Sequence, residues 1–559
     1  MLYPKSNAKR EVYNLNGVWE YCFVSEDYIP TEKNLSTKPM AVPASYNEIV
    51  TNIETKEYCG KVLYEREITL PKKDDCIYRL RIGAASHKCE IYLNGKKVGQ
   101  GINGFYPIDL ALENLQEKNR LSVIIDNRLT AQTFPNGRIK DGKQVIKHDF
   151  YNYTGIHRDV LIYTTPKKHI DDIVIRTVVD GDYGKVAVEV LGEYENITYR
   201  VLDEQGKEVV NTSNCVFIIP NPRRWEVMNA YLYTLIVETD TDYYEEKFGI
   251  RKVEVKGKNF LVNDKPVYFK GFGVHEDFFV LGKGNNPAVT LRNFECMKWV
   301  NANSFRTSHY PYSEEFLDLA DRYGFMVIDE APAAGLVLWE ECFGENAAND
   351  ETLAIHKELM KQLYERDKNH PCVVMVSVSN EPQSTEENSG KYFKEVFEYT
   401  RKFWDLPITV VEPSLASAHN SYVSQFSDVV CVNRYFGWYV DHGDLSGIEE
   451  KLKSDLGDFY EKYKKPVILS EFGADTIEGL HSLPAESFSE DFQMLCIIKN
   501  CETLDQMDFC VGELVWNFAD FKTAQTPARV RGNRKGVFTK DRQPKMAAYY
   551  LKDRWGKKS

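Results

Sequence analysis

Residues 372–382 read Cys-Val-Val-Met-Val-Ser-Val-Ser-Asn-Glu-Pro, an apolar run of strand length that ends in an amide and a carboxylate. Pro382 biases the residue before it away from right-handed helical geometry, so Glu381 is expected at a strand end and not on a helix face. The same pattern recurs seven more times after residue 253: Val267-Tyr-Phe-Lys-Gly, Ser304-Phe-Arg-Thr, Phe325-Met-Val-Ile, Ile408-Thr-Val-Val, Val429-Val-Cys-Val, Pro466-Val-Ile-Leu-Ser and Val511-Gly-Glu-Leu-Val-Trp. Most of these runs are separated by amphipathic stretches, such as 313–323 with Phe316, Leu317, Ala320 and Tyr323 at helical spacing. The link from the fifth run to the sixth is weaker. Eight strand–helix units over residues 253–559 fit a (β/α)8 TIM barrel, which typically needs about 250 residues. A doubly wound fold would usually place a glycine-rich phosphate loop after its first strand. Here Gly271-Phe-Gly273 is followed by Val-His-Glu-Asp, with no third glycine in register.

Upstream the texture is different. Residues 1–165 carry short alternating runs, among them Val62-Leu-Tyr-Glu-Arg-Glu-Ile-Thr-Leu and Cys76-Ile-Tyr-Arg-Leu-Arg-Ile, and Asn94-Gly95 is a strong hairpin signal. This predicts a two-sheet β-sandwich. Residues 166–252 continue in the same way over roughly an immunoglobulin-domain length, which predicts a second, smaller β-sandwich. A chain of 559 residues divides naturally into about three or four domains.

The charge sum is −13, which repels phosphate backbones and anionic membrane surfaces, so nucleic acid and membrane are both set aside as partners. No run approaches the roughly 18 apolar residues of a membrane span, and the start, MLYPKSNAKREV, lacks an apolar stretch of the signal-peptide type. A cytoplasmic location follows as the expectation. The 12 cysteines are dispersed with no C-x-x-C pair, so reduced, structural thiols are expected.

A barrel builds its active site at the C-terminal ends of its strands, so the informative residues are polar ones that directly follow apolar runs. Glu381 follows the fourth run and Glu471 ends the seventh, on the same rim. Two facing carboxylates support glycosidic cleavage, one as acid and the other as nucleophile or base. Thr307-Ser-His309-Tyr310, Asp329-Glu330, Asn433-Arg434-Tyr435-Phe-Gly-Trp438-Tyr439 and Trp516-Asn517 follow other strands. Aromatic faces beside hydrogen-bonding groups suit sugars. His275-Glu276-Asp277 are three consecutive residues, which seldom converge on one ion, and neither a metal nor a cofactor is expected. Arg529-Val-Arg531-Gly-Asn533-Arg534-Lys535 packs four cations into seven residues just after the last strand. By composition such a loop reads as solvated surface; the sharper reading is an anion site, which beside a glycosidase site would take an acidic sugar.

Together these residues resemble glycoside hydrolase family 2, and within it the bacterial β-glucuronidases. The matching motifs are Asp149-Phe-Tyr-Asn152-Tyr-Thr-Gly-Ile-His157-Arg158, Thr307-Ser-His-Tyr-Pro-Tyr312, Asn380-Glu381-Pro382, Asn433-Arg-Tyr-Phe-Gly-Trp-Tyr439, Glu471-Phe-Gly, Trp516-Asn-Phe-Ala-Asp-Phe521 and Asn533-Arg-Lys535-Gly-Val-Phe-Thr. The resemblance implies retaining hydrolysis of β-D-glucuronides, with Glu471 as nucleophile and Glu381 as acid/base. It implies that Asn380 holds the sugar 2-hydroxyl, beside Asn433, and that Tyr435 orients Glu471. Asn533, Lys535, Arg529 and Tyr439 would engage the sugar carboxylate. Asp149, from the first sandwich, would bind a ring hydroxyl near His309 and Trp516. The resemblance also implies a jelly-roll-like, sugar-binding-like first β-sandwich and a homo-oligomer, commonly a tetramer.

Two departures from the family are visible. The segment between Ala331 and Arg366 is short, where many gut bacterial members carry a long loop, and it contains Trp339-Glu-Glu-Cys-Phe343. The sequence stops at Ser559, soon after a closing helix expected from Ala547 to Trp555, so the additional C-terminal domains of some relatives are not expected. Two alternatives stand beside this reading: a β-galacturonidase of the same fold, and a non-catalytic carbohydrate-binding protein on a hydrolase scaffold.

Overall fold

The computed structural model describes residues 1–34, 36–336 and 349–558, so the Trp339–Phe343 stretch lies outside the described residues. The first sandwich packs a six-stranded antiparallel sheet on a four-stranded one. In the long strand Lys118–Asp126, Leu121, Val123 and Ile125 face Leu80, Ile82 and Ile162 of the other sheet in one apolar core. The period-2 alternation seen in the sequence produces that packing, because successive side chains leave a strand on opposite faces. Asn94 and Gly95 adopt φ of 51° and 81° and close the hairpin between Lys88–Leu93 and Lys96–Gly101, a type I′ geometry that only such residues enter cheaply. The second sandwich pairs a three-stranded sheet with a four-stranded one around Ile173, Val186, Val201 and Leu235.

Before the barrel, Val253–Lys256, Asn259–Val262 and Lys265–Pro266 form a small antiparallel sheet, a hairpin that the apolar periodicity did not single out. Phe260 packs edge-on against Phe269 at 4.9 Å, fixing this sheet under the first barrel strand. That strand accordingly begins at Phe269, two residues later than Val267. The barrel strands are β1 (Phe269–Gly273), β2 (Ser304–Arg306), β3 (Met326–Glu330), β4 (Val373–Asn380), β5 (Ile408–Glu412), β6 (Val430–Asn433), β7 (Val467–Glu471) and β8 (Cys510–Val515). They pair in sequence order, parallel, and β8 closes on β1. The eight apolar runs of the sequence are these eight strands.

The connecting helices follow their local signals. Asn286 caps Pro287–Trp299 with its side chain, and proline at the first turn costs nothing there. Ser313 caps Glu314–Tyr323, which ends at Gly324 with φ of 81° and buries Phe316, Leu317 and Ala320. Between β5 and β6 the chain makes one 3₁₀ turn, Ser424–Phe426, and no α-helix, which accounts for the weak link read there. Pro413 follows β5 directly, and the buried Glu412 carboxylate accepts from Ser421 at 2.6 Å, Ser424 at 2.5 Å and Ser384. Hydroxyls thus fasten this connection in place of a packed helix. No disulfide occurs among the described cysteines, and no described helix is long and apolar enough to cross a membrane.

Candidate active site

The C-terminal ends of β2, β3, β4, β6 and β7 deliver one polar constellation. Arg306 ends β2 and is fully buried. One of its nitrogens donates to both oxygens of Glu330, at 2.8 and 2.9 Å, and to Asn380 Oδ1 at 3.2 Å. The other donates to Glu471 Oε1. Tyr435 OH donates to the second Glu471 oxygen at 2.6 Å, so both oxygens of this carboxylate are held. Glu381 accepts from Asn433 Nδ2 at 2.8 Å, and Asn433 is itself oriented by Ser470 Oγ at 3.0 Å. The Glu381 backbone has φ of 49°, the left-handed region that non-glycine residues seldom occupy. Pro382 steers Glu381 out of right-handed geometry, and Val411 O, accepting from Glu381 N at 2.8 Å, holds it in this alternative. Strain at such a position is common where a side chain must be aimed.

Burial raises the pKa of both carboxyls, Glu471 to about 8. On Glu471 the Arg306 charge pulls the other way, the Glu381 charge pushes up, and the Tyr435 hydroxyl pulls down. On Glu381 the Asn433 amide and Arg306 pull down, while Asp149 pushes up. The two acids titrate as a pair. Hydrogen bonds from a guanidinium and a phenol favour ionised Glu471, whereas Glu381 accepts from one neutral amide and feels Arg306 only at longer range. Glu330 is held below the usual carboxylate range: its full burial is outweighed by Arg306 and His309. His309 is pushed down to about 4 by burial, so it is neutral. Its Nδ1 lies 2.8 Å from Glu330 and its Nε2 3.8 Å from Glu471, while its ring stacks on Trp516 at 5.0 Å.

The cation loop adjoins this constellation through two tyrosines, Tyr435 and Tyr439, whose rings lie 4.9 Å apart. Tyr439 OH accepts from Lys535 Nζ at 2.7 Å and from Arg529 at 2.5 Å. Asp149 reaches over from the first sandwich and accepts from Arg529 Nε at 3.0 Å and Asn533 Nδ2 at 2.9 Å. Lys535, fully buried, also pairs with Asp475. Asp475 in turn lies 3.4 Å from Arg529 and accepts from the Arg534 backbone at 2.7 Å. Gly532 allows the tight approach of this loop, with φ of 111° and no room for a Cβ beside Phe521 O.

The two carboxylates and ten binding residues expected from the sequence lie around one barrel mouth: Glu381, Glu471, Asn380, Asn433, Tyr435, Tyr439, His309, Trp516, Arg529, Asn533, Lys535 and Asp149; the Asp329 side chain does not join them and accepts from Thr307 Oγ1 at 3.3 Å. His275, Glu276 and Asp277 diverge: the His275 ring packs on Phe521, Glu276 pairs with Arg158, and Asp277 with Lys540. The one three-residue grouping of metal-ligating type among the described residues, Asp321, His370 and Cys372, lies at the opposite, N-terminal ends of the strands. There the Asp321 oxygens already accept from His370 and from the Cys372 backbone.

Sequence reasoning missed Arg306, Glu330 as a partner, and Asp475. Each left a signal: an arginine inside an apolar strand, a second acid at the end of β3, and an acid four residues beyond Glu471. None of them names its partner, because all three partners are distant in sequence.

Three family models match consecutive parts of the chain. They are "Glycosyl hydrolases family 2, sugar binding domain" over 12–166, "Glycosyl hydrolases family 2" over 168–251, and "Glycosyl hydrolases family 2, TIM barrel domain" over 253–558. A β-glucuronidase of Paenibacillus borealis is 40% identical over 100% of this chain and 98% of its own. The solved β-glucuronidase of an uncultured Clostridium sp. superposes with a TM-score of 0.96 at 43% identity, covering 100% of both chains. The Ruminococcus gnavus β-glucuronidase in complex with D-glucaro 1,5-lactone gives 0.94 at 35% identity, covering 99% of both.

Proposed function

The chain belongs to family 2 of the glycosyl hydrolases, and from that premise we propose that it is a retaining hydrolase of β-D-glucuronides. The observation that carries this reading is the union of an unequally held carboxylate pair with a cation loop within reach of the same sugar. Glu381, protonated, donates to the leaving oxygen while Glu471 attacks the anomeric carbon and forms a glycosyl ester. Esterification removes the Glu471 charge that had favoured a proton on Glu381. Glu381 then accepts a proton from water as that water attacks the anomeric carbon and displaces the Glu471 carboxylate, restoring both carboxyls. Arg306 and Tyr435 hold Glu471 in its attacking geometry, and Asn433 aims Glu381.

Lys535 and Asn533 are proposed to read the sugar carboxylate, with Arg529 and Tyr439 beside them. Asp149, His309 and Trp516 then border the ring, and Asn380 meets the hydroxyl next to the reacting carbon. A neutral sugar would forgo the charge-assisted hydrogen bonds that a carboxylate makes with Lys535 and Asn533. The same reading proposes a cytoplasmic enzyme assembled as a homotetramer, which size determination in solution tests.

The decisive experiment is hydrolysis of a chromogenic β-glucuronide beside the matching β-galacturonide, β-galactoside and β-glucoside between about pH 4 and 8. Preference for the glucuronide supports the loop and the glutamate roles together. Preference for the galacturonide moves the error to the groups around the sugar 4-hydroxyl, and no turnover of any of the four favours a binding protein.

A further inference from the structure

Lys283 sits on the loop after β1 and takes no part in the chemistry above, yet it is one of the least exposed cations in the chain, at 6%. Its ammonium lies 3.7 Å from the ring centre of Tyr310, 4.5 Å from Phe105 and 4.8 Å from Phe150. The acids of its own loop are engaged elsewhere, Glu276 with Arg158 at 3.3 Å and Asp277 with Lys540 at 2.9 Å. Around it His87, His148, His157 and His275 are all pushed down by burial, with the Lys283 charge acting in the same direction. Burial pushes Lys283 itself down to about 7. A buried ammonium with no carboxylate of its own is costly; the nearby Glu276 and Asp277 charges offset part of that cost, and the faces of three aromatic rings add to them.

The rings come from two domains. Phe105 and Phe150 belong to the first sandwich and Tyr310 to the barrel, and Phe105 stacks on Tyr310 at 4.7 Å with the planes 10° apart. The loop that carries Lys283 is itself fastened to the sandwich. Lys283 N donates to Ser45 Oγ at 3.1 Å, Ser45 N to Leu281 O at 2.9 Å, and Asn285 N to His157 O at 2.7 Å. Each of two cage rings is adjacent in sequence to a residue at the sugar site: Phe150 follows Asp149, and Tyr310 follows His309.

We propose that Lys283 is a positioning residue: its ammonium, held between rings of the sandwich and the barrel, sets where Asp149 stands relative to His309 and so how the sugar ring is gripped. It touches neither substrate nor the reacting carboxylates. The inference rests on the glucuronidase reading above.

The test is Lys283→Met, which keeps the volume and removes the charge, assayed on a chromogenic β-glucuronide alone and combined with Asp149→Asn. The expected result is a rise in KM of roughly three- to tenfold with kcat changed less than about twofold. In the Asp149→Asn background the same substitution should change KM by less than about twofold, because the residue it positions is already lost. An unchanged KM, or an equal fold-change in both backgrounds, overturns the proposal. Should Lys283→Met fail to accumulate as folded protein, Phe105→Leu opens the cage from the sandwich side. It must raise KM in the same way, and an unchanged KM there overturns the proposal too. Absence of glucuronide turnover by the unmodified chain removes the functional reading and this inference together, whereas normal turnover with an unmoved Lys283→Met KM removes this inference alone.

Discussion

Glu381 and Glu471 stand at the ends of two barrel strands, whereas Arg529 and Lys535 stand on a loop. The two regions also answer their charges differently. At the strand ends the donors are shared unequally: Glu471 has a guanidinium and a phenol, Glu381 a single amide. Inequality is what separates an attacking carboxylate from one that keeps its proton. In the loop the cations are matched by the protein's own acids, Arg529 by Asp149 and Lys535 by Asp475. An incoming sugar carboxylate therefore enters a site already close to neutral and must win by geometry, through Asn533 and Lys535, more than by bulk attraction. A catalytic centre can thus be asymmetric where it reacts and balanced where it recognises.

The sharpest way to break this comparison is Glu471→Gln. It should lower kcat by at least about 10⁴-fold, and near-normal turnover would remove Glu471 from the nucleophile role. Glu381→Gln should cost about 10²–10⁴ on a glucuronide with a poor leaving group. It should cost much less on a nitrophenyl glucuronide, which needs no proton to depart, so equal losses on the two substrates would argue against an acid. Lys535→Ala should reduce kcat/KM for the glucuronide by a little over a hundredfold, from the roughly 3 kcal/mol lost when a buried charge pair is broken. Hydrolysis of the neutral glucoside should not fall in parallel; if the two fell equally, the loop would not be reading charge. Tyr435→Phe probes the inequality most finely. Its hydroxyl favours ionised Glu471, so its loss raises the pKa of that carboxyl, and the acid limb of the kcat/KM profile should move to higher pH with about a tenfold loss at the optimum. A limb that moved down, or not at all, would mean that Tyr435 does not tune Glu471.

The barrel was legible because each strand is an apolar run that stops at a polar residue, and that boundary is both a fold signal and a site signal. Glu381 and Glu471 stood out by that rule, and the hairpin at Asn94-Gly95 by its turn residues. What stayed hidden is the pairing. Arg306 looks like one polar residue in a short strand until the closed barrel sets it against Glu330, Asn380 and Glu471, residues 24, 74 and 165 positions away. The cation loop read as a surplus of positive charge because Asp149 lies 380 positions before Arg529, and Asp475 reaches Lys535 only through the fold. The missing helix between β5 and β6 was sensed as weak periodicity. Its replacement, Ser421 and Ser424 bonded to Glu412, has no periodic signature.

Asp149 comes from the first sandwich, outside the barrel that carries the two glutamates, and this constrains how such a protein changes over generations. Exchange of whole sandwiches between lineages, an easy route to novelty when modules work independently, would here disturb Arg529 and Asn533 at the same stroke. The two segments are bound to a common history: a drift in one must be answered in the other, and new substrate preferences arise sooner from paired changes across their seam than from recombination at the linker.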